Sequence, residues 1–510
     1  MKAHRATRGL GLAAAIAAVG TLAAPTTTSA APQDTSVRAA PDARASVAAA
    51  PKARPKARPE DFDGDGHRDV VVSAAGANVE DVLMPGYAAA LHGSPRSPLY
   101  AKHRLIHQDT PGVPGVPEQE DAFGYAPTSG DLDRDGYTDL IVGASGEDLG
   151  PHRDAGALAV VWGGPKGLSG GAKLWEGTRE AARAGAATAA GDFDGDGDTD
   201  VVTTDAGATE LRLLSGPFRR DGSPASTSVA VRERDEVYVR DLAVGDVNRD
   251  GRADLAYNRL GRGAAEGPSA VLRLGTTKGP GPAKPLAGKG VGVRSLAIGD
   301  TDGDGYDDIV LGCPLDGYSP EPIDRGGKIV WIPGSARGAA TERARPLNQD
   351  SPGVPGVAEG SAHPTGNDDF GASVSIGDVD GDRFGDIAVG VPEENFAGRD
   401  DAGTVVVLRG AGGGPSGKGA RVVSQNTRDV PGVAGDRDRF GSAVKIIDVT
   451  GDRRGELIAG APGEYYGAGA VTAFRSTAAG VTGKGALTFE QDVLGLHANG
   501  DDGFGAGFTR

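Results

Sequence analysis

One cysteine, Cys313, stands in 510 residues, so no internal disulfide can hold this chain together. Its place between Gly312 and Pro314 suits a packed thiol rather than a nucleophile. Beyond an apolar run at residues 9–24, no segment is apolar for long enough to cross a membrane. The eight histidines fall in no His-x-x-x-His or similar spacing, which excludes the common zinc motifs. Positive charge is outweighed, with 53 Lys and Arg against 70 Asp and Glu for a net charge of -17, and an acidic surface disfavours nucleic acid as a partner.

What the chain has in abundance is one short acidic pattern ending in an apolar strand. It begins with Asp61, Asp63, Asp65, Gly66 and Asp69 and runs into Val70–Val72. Further copies start at Asp131, Asp192, Asp246, Asp300, Asp378 and Asp448, 54 to 78 residues apart. That is the length of a four-stranded propeller blade with variable loops. The runs after the loops, such as residues 139–143, 308–312 and 386–390, read as short buried strands, and second apolar runs follow at 156–162, 327–332, 403–408 and 469–474. The 84 glycines and 33 prolines therefore mark turns rather than disorder. The expected fold class is all-β, a seven-bladed β-propeller.

Carboxylates at alternate positions of a tight turn repel one another unless a cation sits among them, and hard oxygen donors in that number suit calcium. The expected ligands are Asp61, Asp63, Asp65 and Asp69; Asp131, Asp133, Asp135 and Asp139; Asp192, Asp194, Asp196 and Asp200; Asp246, Asn248, Asp250 and Asp254; Asp300, Asp302, Asp304 and Asp308; and Asp378, Asp380, Asp382 and Asp386. An EF-hand opens the same way but needs Glu at position twelve, where this chain has Val72, Val142 and Thr203. The copies are unequal. Asn248 lowers the charge of the fourth, and Arg383 replaces the usual glycine of the sixth at a backbone cost of about 1 kcal/mol. The seventh carries Thr450, Glu456, Arg453 and Arg454 and is the weakest candidate, leaving about five to six Ca2+ sites of structural rather than catalytic purpose.

Phe123-Gly124, Phe370-Gly371 and Phe440-Gly441 stand eight residues ahead of their loops, while residues 143–145, 312–314, 390–392 and 460–462 carry Gly-Ala-Pro or a close variant. With these, the chain from about residue 60 onward resembles the FG-GAP repeat family, which includes the seven-bladed propellers of integrin alpha subunits. The resemblance implies calcium-bound loops and a binding or adhesion role. The first loop lacks a Phe-Gly strand, but Phe504-Gly505 ends the chain with one and no loop after it. That terminal strand is expected to dock beside residues 69–74 and close the ring.

Residues 1–30 read as a secretory signal cleaved near Ala30, residues 31–59 as a disordered Ala/Pro-rich basic linker with Lys52, Arg54, Lys56 and Arg58, and residues 60–510 as the propeller. The linker is a candidate cell-surface tether. Chain parity puts the variable segments 73–87, 145–155, 313–326 and 392–402, and the connectors 108–122, 349–369, 425–439 and 491–503, on the face opposite the acidic loops. The connectors share Gln-Asp or Gln-Asn, mostly with a Gly-Val-Pro-Gly-like run after it, a repetition suited to bracing neighbouring blades. Met84, Tyr87, His152, Tyr318, Phe396, Tyr465 and Tyr466 are the candidate ligand contacts.

The reading is a secreted, monomeric, calcium-stabilised module that recognises an extracellular protein or carbohydrate and is not an enzyme. The competing class is a secreted hydrolase of a polysaccharide or ester. Residues 167–171, Gly-Leu-Ser-Gly-Gly, match a nucleophile-elbow pattern but fall in a strand-to-strand turn without the helix an elbow requires.

Overall fold

The computed structural model describes residues 57–79, 82–96, 99–233, 237–261, 269–287, 291–314, 325–359, 367–496, 500 and 502–509. The expected signal segment, most of the expected linker, and Tyr318 lie outside them. The described residues form seven four-stranded antiparallel sheets, each a blade, arranged as a β-propeller with almost no helix.

Within a blade, the strand leaving the acidic loop is buried on both faces. Val70–Ala74, Asp139–Ala144, Asp200–Asp205, Asp308–Cys313, Asp386–Val391 and Glu456–Ala461 are buried at every position. Such strands read as unbroken apolar runs, which explains why these stretches do not alternate. Core clusters span adjacent blades: Val379, Val405 and Val407 of one pack with Val444, Leu457 and Phe474 of the next.

The innermost strands line a central cavity of about 1200 Å³. Hydroxyls on this wall stitch neighbouring blades. Ser373 and Ser375 accept the N–H groups of Val444 and Ile446, each at 3.0 Å, and Ser295 donates to the Gly371 carbonyl at 2.8 Å.

The two halves of the repeat motif meet across blade boundaries. A Cβ on Gly460 would lie 1.9 Å from the carbonyl oxygen of Gly505, and one on Gly390 would lie 2.0 Å from that of Gly441. No side chain fits between these backbones. Gly505 and Gly441 also have φ of 88° and 92°, where L residues are strained.

Closure of the ring matches the sequence expectation. Gly507–Phe508 pairs with the first blade at Ser73 and Val72, making the order Gly507–Phe508, Val70–Ala74, Tyr87–Leu91, His103–Ile106. The same terminal segment bonds to the seventh blade, Gly503 N–H to Gly467 O at 2.8 Å and Phe504 N–H to Ala468 O at 3.2 Å. Phe504, fully buried, lies against Tyr87 and Phe489. A charged clasp ties the start of the first loop to the terminal strand: buried Glu60 pairs with Lys445 at 2.7 Å and Arg68 at 2.6 Å, and Lys445 also donates to the Thr509 carbonyl. Lys445 and Arg68 hold the Glu60 carboxyl below its usual range against the upward push of burial.

Phe504→Ala removes the ring-closing aromatic and is expected to lower stability by about 3–5 kcal/mol in denaturant unfolding. An unchanged midpoint would contradict closure by this strand.

Candidate metal centres and the opposite face

Each acidic loop is a nine-residue bend between a blade's first and second strands, and its carboxylates are held by backbone N–H groups. In the first loop Asp61 accepts from Asp65 at 3.1 Å and Gly66 at 3.0 Å, and Asp65 accepts from His67 at 2.9 Å. The third loop repeats this with Asp192 accepting from Asp196 and Gly197. These are nested Asx-turns, in which every side chain serves its own backbone.

Position nine does something different. Asp139 accepts the Leu132 N–H at 2.9 Å on one oxygen and the Gly163 N–H at 2.8 Å on the other. Asp69, Asp200, Asp254, Asp308 and Asp386 repeat both bonds, to the second residue of the loop and to Gly93, Gly216, Gly275, Gly334 and Gly410 at the end of the third strand. One buried carboxylate thus ties the loop to a strand two turns later in the chain. In the seventh blade Glu456 keeps the bond to Val449 at 3.2 Å, but Ser476 stands where the glycine would be and donates its hydroxyl to Gly455 O instead.

The loops also touch one another in sequence, a feature missed from the sequence. The seventh loop residue lies on the fourth residue of the preceding loop: Tyr137 against Gly64, Arg252 against Gly195, Phe384 against Gly303, Arg454 against Gly381 and His67 against Gly451. Between the second and third loops, Arg134 pairs with Asp198. The only available signal was the run of large residues at position seven.

Carboxylate oxygens converge in several loops. One oxygen from each of Asp192, Asp194 and Asp200 lies within 4.8 Å of the others, as do those of Asp300, Asp302 and Asp304, of Asp131, Asp133 and Asp139, and of Asp61, Asp63 and Asp65. Burial and then the neighbouring Asp308 and Asp304 push Asp302 up to about 6, and burial with Asp194 and Asp196 beside it pushes Asp200 up to about 6. The third and fifth loops thus concentrate negative charge, and among the described residues no basic side chain pairs with their ligand carboxylates, Arg252 donating only to the Asp194 backbone carbonyl at 3.3 Å. Hard oxygen donors, like-charged and without a counter-charge, fit a divalent cation. In the fourth loop Asn248 offers an amide oxygen that already accepts the Asp250 N–H at 3.2 Å.

The other five loops meet basic side chains, Arg252 lying 3.5 Å from Asp250 in the fourth and Arg454 3.1 Å from Asp452 in the seventh. His92 lies 3.2 Å from Asp63 and 3.5 Å from Asp69, and Lys102 also pairs with Asp63. The His92 bond draws the Asp63 carboxyl well below its usual range. Arg220, stacked on Trp162 at 4.9 Å, pairs with Asp133 and with Asp135 at 2.5 Å. Arg409 enters the sixth loop, 3.2 Å from Asp386, 3.8 Å from Asp382 and paired with Asp380. Arg383 there has a φ of 77°, the strained geometry expected for a non-glycine.

The opposite face carries the variable loops and the connectors. Glu120 N–H bonds to Leu83 O at 3.1 Å and Gly146 N–H to Asp121 O at 2.9 Å, so one connector bridges two blades. Its glutamine is the brace. Gln108, Gln349 and Gln425 are buried and donate to Glu147, Glu394 and Glu464 of the following blade. Gln491 instead bonds Asp502 at 3.1 Å and accepts from the Tyr87 hydroxyl at 2.8 Å. Tyr87 is accordingly a core residue, 1% exposed, and the expectation that it contacts ligand is corrected. It sits inside the strand Tyr87–Leu91 rather than on the loop before it. Tyr465 and Tyr466 are exposed, the latter 98%, both at positive φ, while His152 and Phe396 are half-buried and Met84 is exposed. Val116, Val357 and Val433, at matching places in three connectors, are also exposed. Residues 167–171 lie in a turn between Ala157–Val161 and Ala172–Glu176 with no helix after them.

Comparison with known proteins agrees with this geometry. The FG-GAP repeat matches residues 123–161 and 370–408, and an FG-GAP-like repeat matches 192–257. The chain is an integrin-alpha-like FG-GAP β-propeller. It is 29% identical to integrin alpha-PS2 of Drosophila melanogaster over 250 residues, 48% of this chain and 16% of that one. It is 30% identical to integrin alpha pat-2 of Caenorhabditis briggsae over 235 residues, 40% of this chain and 18% of that one. A phosphatidylinositol-glycan-specific phospholipase D of Homo sapiens is 29% identical over 151 residues, 26% and 18% of the two chains. The chain thus spans less than a fifth of the length of these relatives.

Buried carboxyls on the connectors and on the variable loop they brace give the FG-GAP propeller a pH dependence. Burial raises Glu147 to about 7, Asp121 to about 6 and Asp368 to about 8. The folded state holds protons that the unfolded chain has released, so this contribution is full below the ordinary carboxylate range and is lost as pH rises through about 6 to 8. In saturating calcium the melting temperature is expected to fall between pH 5 and pH 8.5, and Glu147→Gln to flatten part of that slope. An identical slope in the variant would contradict the assignment.

Proposed function

We propose that the chain is an extracellular, calcium-stabilised binding module whose loop face holds the ions and whose opposite face meets a protein or carbohydrate. The observation that carries the ion half is the convergence of carboxylates in the third and fifth loops, with no basic side chain on those carboxylates among the described residues. The ions would be structural: Asp192, Asp194, Asp196 and Asp200, and Asp300, Asp302, Asp304 and Asp308, would ligate them, with Asp200 and Asp308 passing the constraint to the end of the third strand. A site at tenfold excess over its dissociation constant adds about 1.4 kcal/mol.

The binding half is supported by the contrast between faces. Leu83, Met84, Val116, Val357, Val433, Tyr465 and Tyr466 are exposed apolar or aromatic groups on the connectors and variable loops. Tyr466 in particular is almost wholly exposed and held in a left-handed backbone conformation, an arrangement that contributes nothing to the core. The wall of the central cavity offers less for catalysis, because Ser295, Ser373, Ser375 and Thr188 are engaged with neighbouring backbone. Secretion accords with the expected leader, and no helix of the described residues is long and apolar enough to cross a membrane.

Immobilised protein in millimolar calcium, screened against glycan arrays and extracellular protein extracts, is expected to capture a ligand. Tyr466→Ala should weaken that capture at least several-fold without changing the melting temperature. Turnover of generic esterase or glycosidase substrates, abolished by a substitution in the central cavity, would overturn the assignment to a non-enzymatic module.

A further inference from the structure

One residue in each of six blades stands just before the glycine that caps the position-nine carboxylate, and in the first and sixth blades it reaches into the acidic loop. In blade order these residues are His92, Trp162, Ser215, Leu274, Pro333 and Arg409, preceding Gly93, Gly163, Gly216, Gly275, Gly334 and Gly410. Trp162, Ser215, Leu274 and Pro333 are neutral, and His92 meets Asp63 and Asp69 only. Arg409 is not neutral. Its guanidinium reaches the carboxylates at positions three, five and nine together: it pairs with Asp380, lies 3.8 Å from Asp382 and lies 3.2 Å from Asp386. These are three of the four side chains that a calcium ion in this loop would bridge.

We infer that Arg409 is the resident cation of the sixth loop, and that this blade is braced by a covalently attached positive charge in place of an ion. A planar fork with five donors can engage several carboxylates in fixed directions, the same constraint that ligation supplies in the other blades. Space is reserved for it. A Cβ on Gly480 of the next blade would lie 2.9 Å from Arg409 Nη1. The side chain is 21% exposed, and the two carboxylates it meets deepest, Asp380 and Asp386, are 7% and 0% exposed. A divalent ion would have to expel this group or share the cluster with a like charge. The expectation of calcium at Asp378, Asp380, Asp382 and Asp386 is thereby replaced.

The third blade supplies the control, because its loop has the same four aspartates but Ser215 at the position matching Arg409, just before Gly216. The inference rests on the reading of the unobstructed loops as calcium sites, and the test separates the two. Calcium bound per chain is counted by equilibrium dialysis with atomic emission on the full protein, each variant first checked for a cooperative melt. Arg409→Ser is expected to bind one more calcium than the wild type and Ser215→Arg one fewer, while Asp382→Asn in the wild-type background leaves the count unchanged. A folded Arg409→Ser with an unchanged count, or a count lowered by Asp382→Asn, overturns the inference and leaves the other sites standing. A wild type that binds no calcium overturns both.

Discussion

A buried carboxylate accepting two backbone N–H groups from distant points of the same blade is the interaction on which this propeller depends. Asp139, with Leu132 on one oxygen and Gly163 on the other, is typical, and five further blades repeat it. The group lies at the inner end of the loop, so its position sets both how the second strand leaves the bend and where the third strand must finish. Charge-assisted bonds of this kind are stronger than neutral ones. They are also demanding, because a buried carboxylate among other carboxylates is stable only when positive charge is near. The fold and its electrostatics are therefore one problem.

The blades solve that problem in different ways. The third and fifth leave the cluster open, the first brings His92 and Lys102, the second brings Arg220, and the sixth fills it with Arg409. The same ring thus combines open carboxylate clusters with built-in counter-charges. On the far face the solution is different again: buried glutamines of the connectors donate to glutamates of the next blade, and the carboxyls there are kept partly protonated by burial. Braces on that face are glutamine-to-glutamate hydrogen bonds, and the outermost residues, such as Tyr466 and Val433, stay exposed.

Much of this was legible because the signals are local. Four carboxylates within nine residues announce a cation-binding turn, Phe504-Gly505 without a following loop announces a displaced strand, and apolar runs of five or six residues announce buried strands. What stayed hidden lies far apart in the chain. Arg409 is 23 residues beyond Asp386 and meets it only because two antiparallel strands return the chain to the same end of the blade. Tyr87 was assigned to the wrong environment for a similar reason: its partner Gln491 is 404 residues away and becomes a neighbour only when the ring closes. The contacts of position-seven side chains with the preceding loop likewise exist only in the assembled circle.

The account is tested most directly by unfolding the purified protein in millimolar calcium and again after exhaustive EGTA treatment, at one pH and ionic strength. Loss of the two ions of the third and fifth loops, bound at tenfold excess, corresponds to about 3 kcal/mol, and the account predicts a melting temperature lower by several degrees in EGTA that calcium restores. Superimposable melting curves would contradict it.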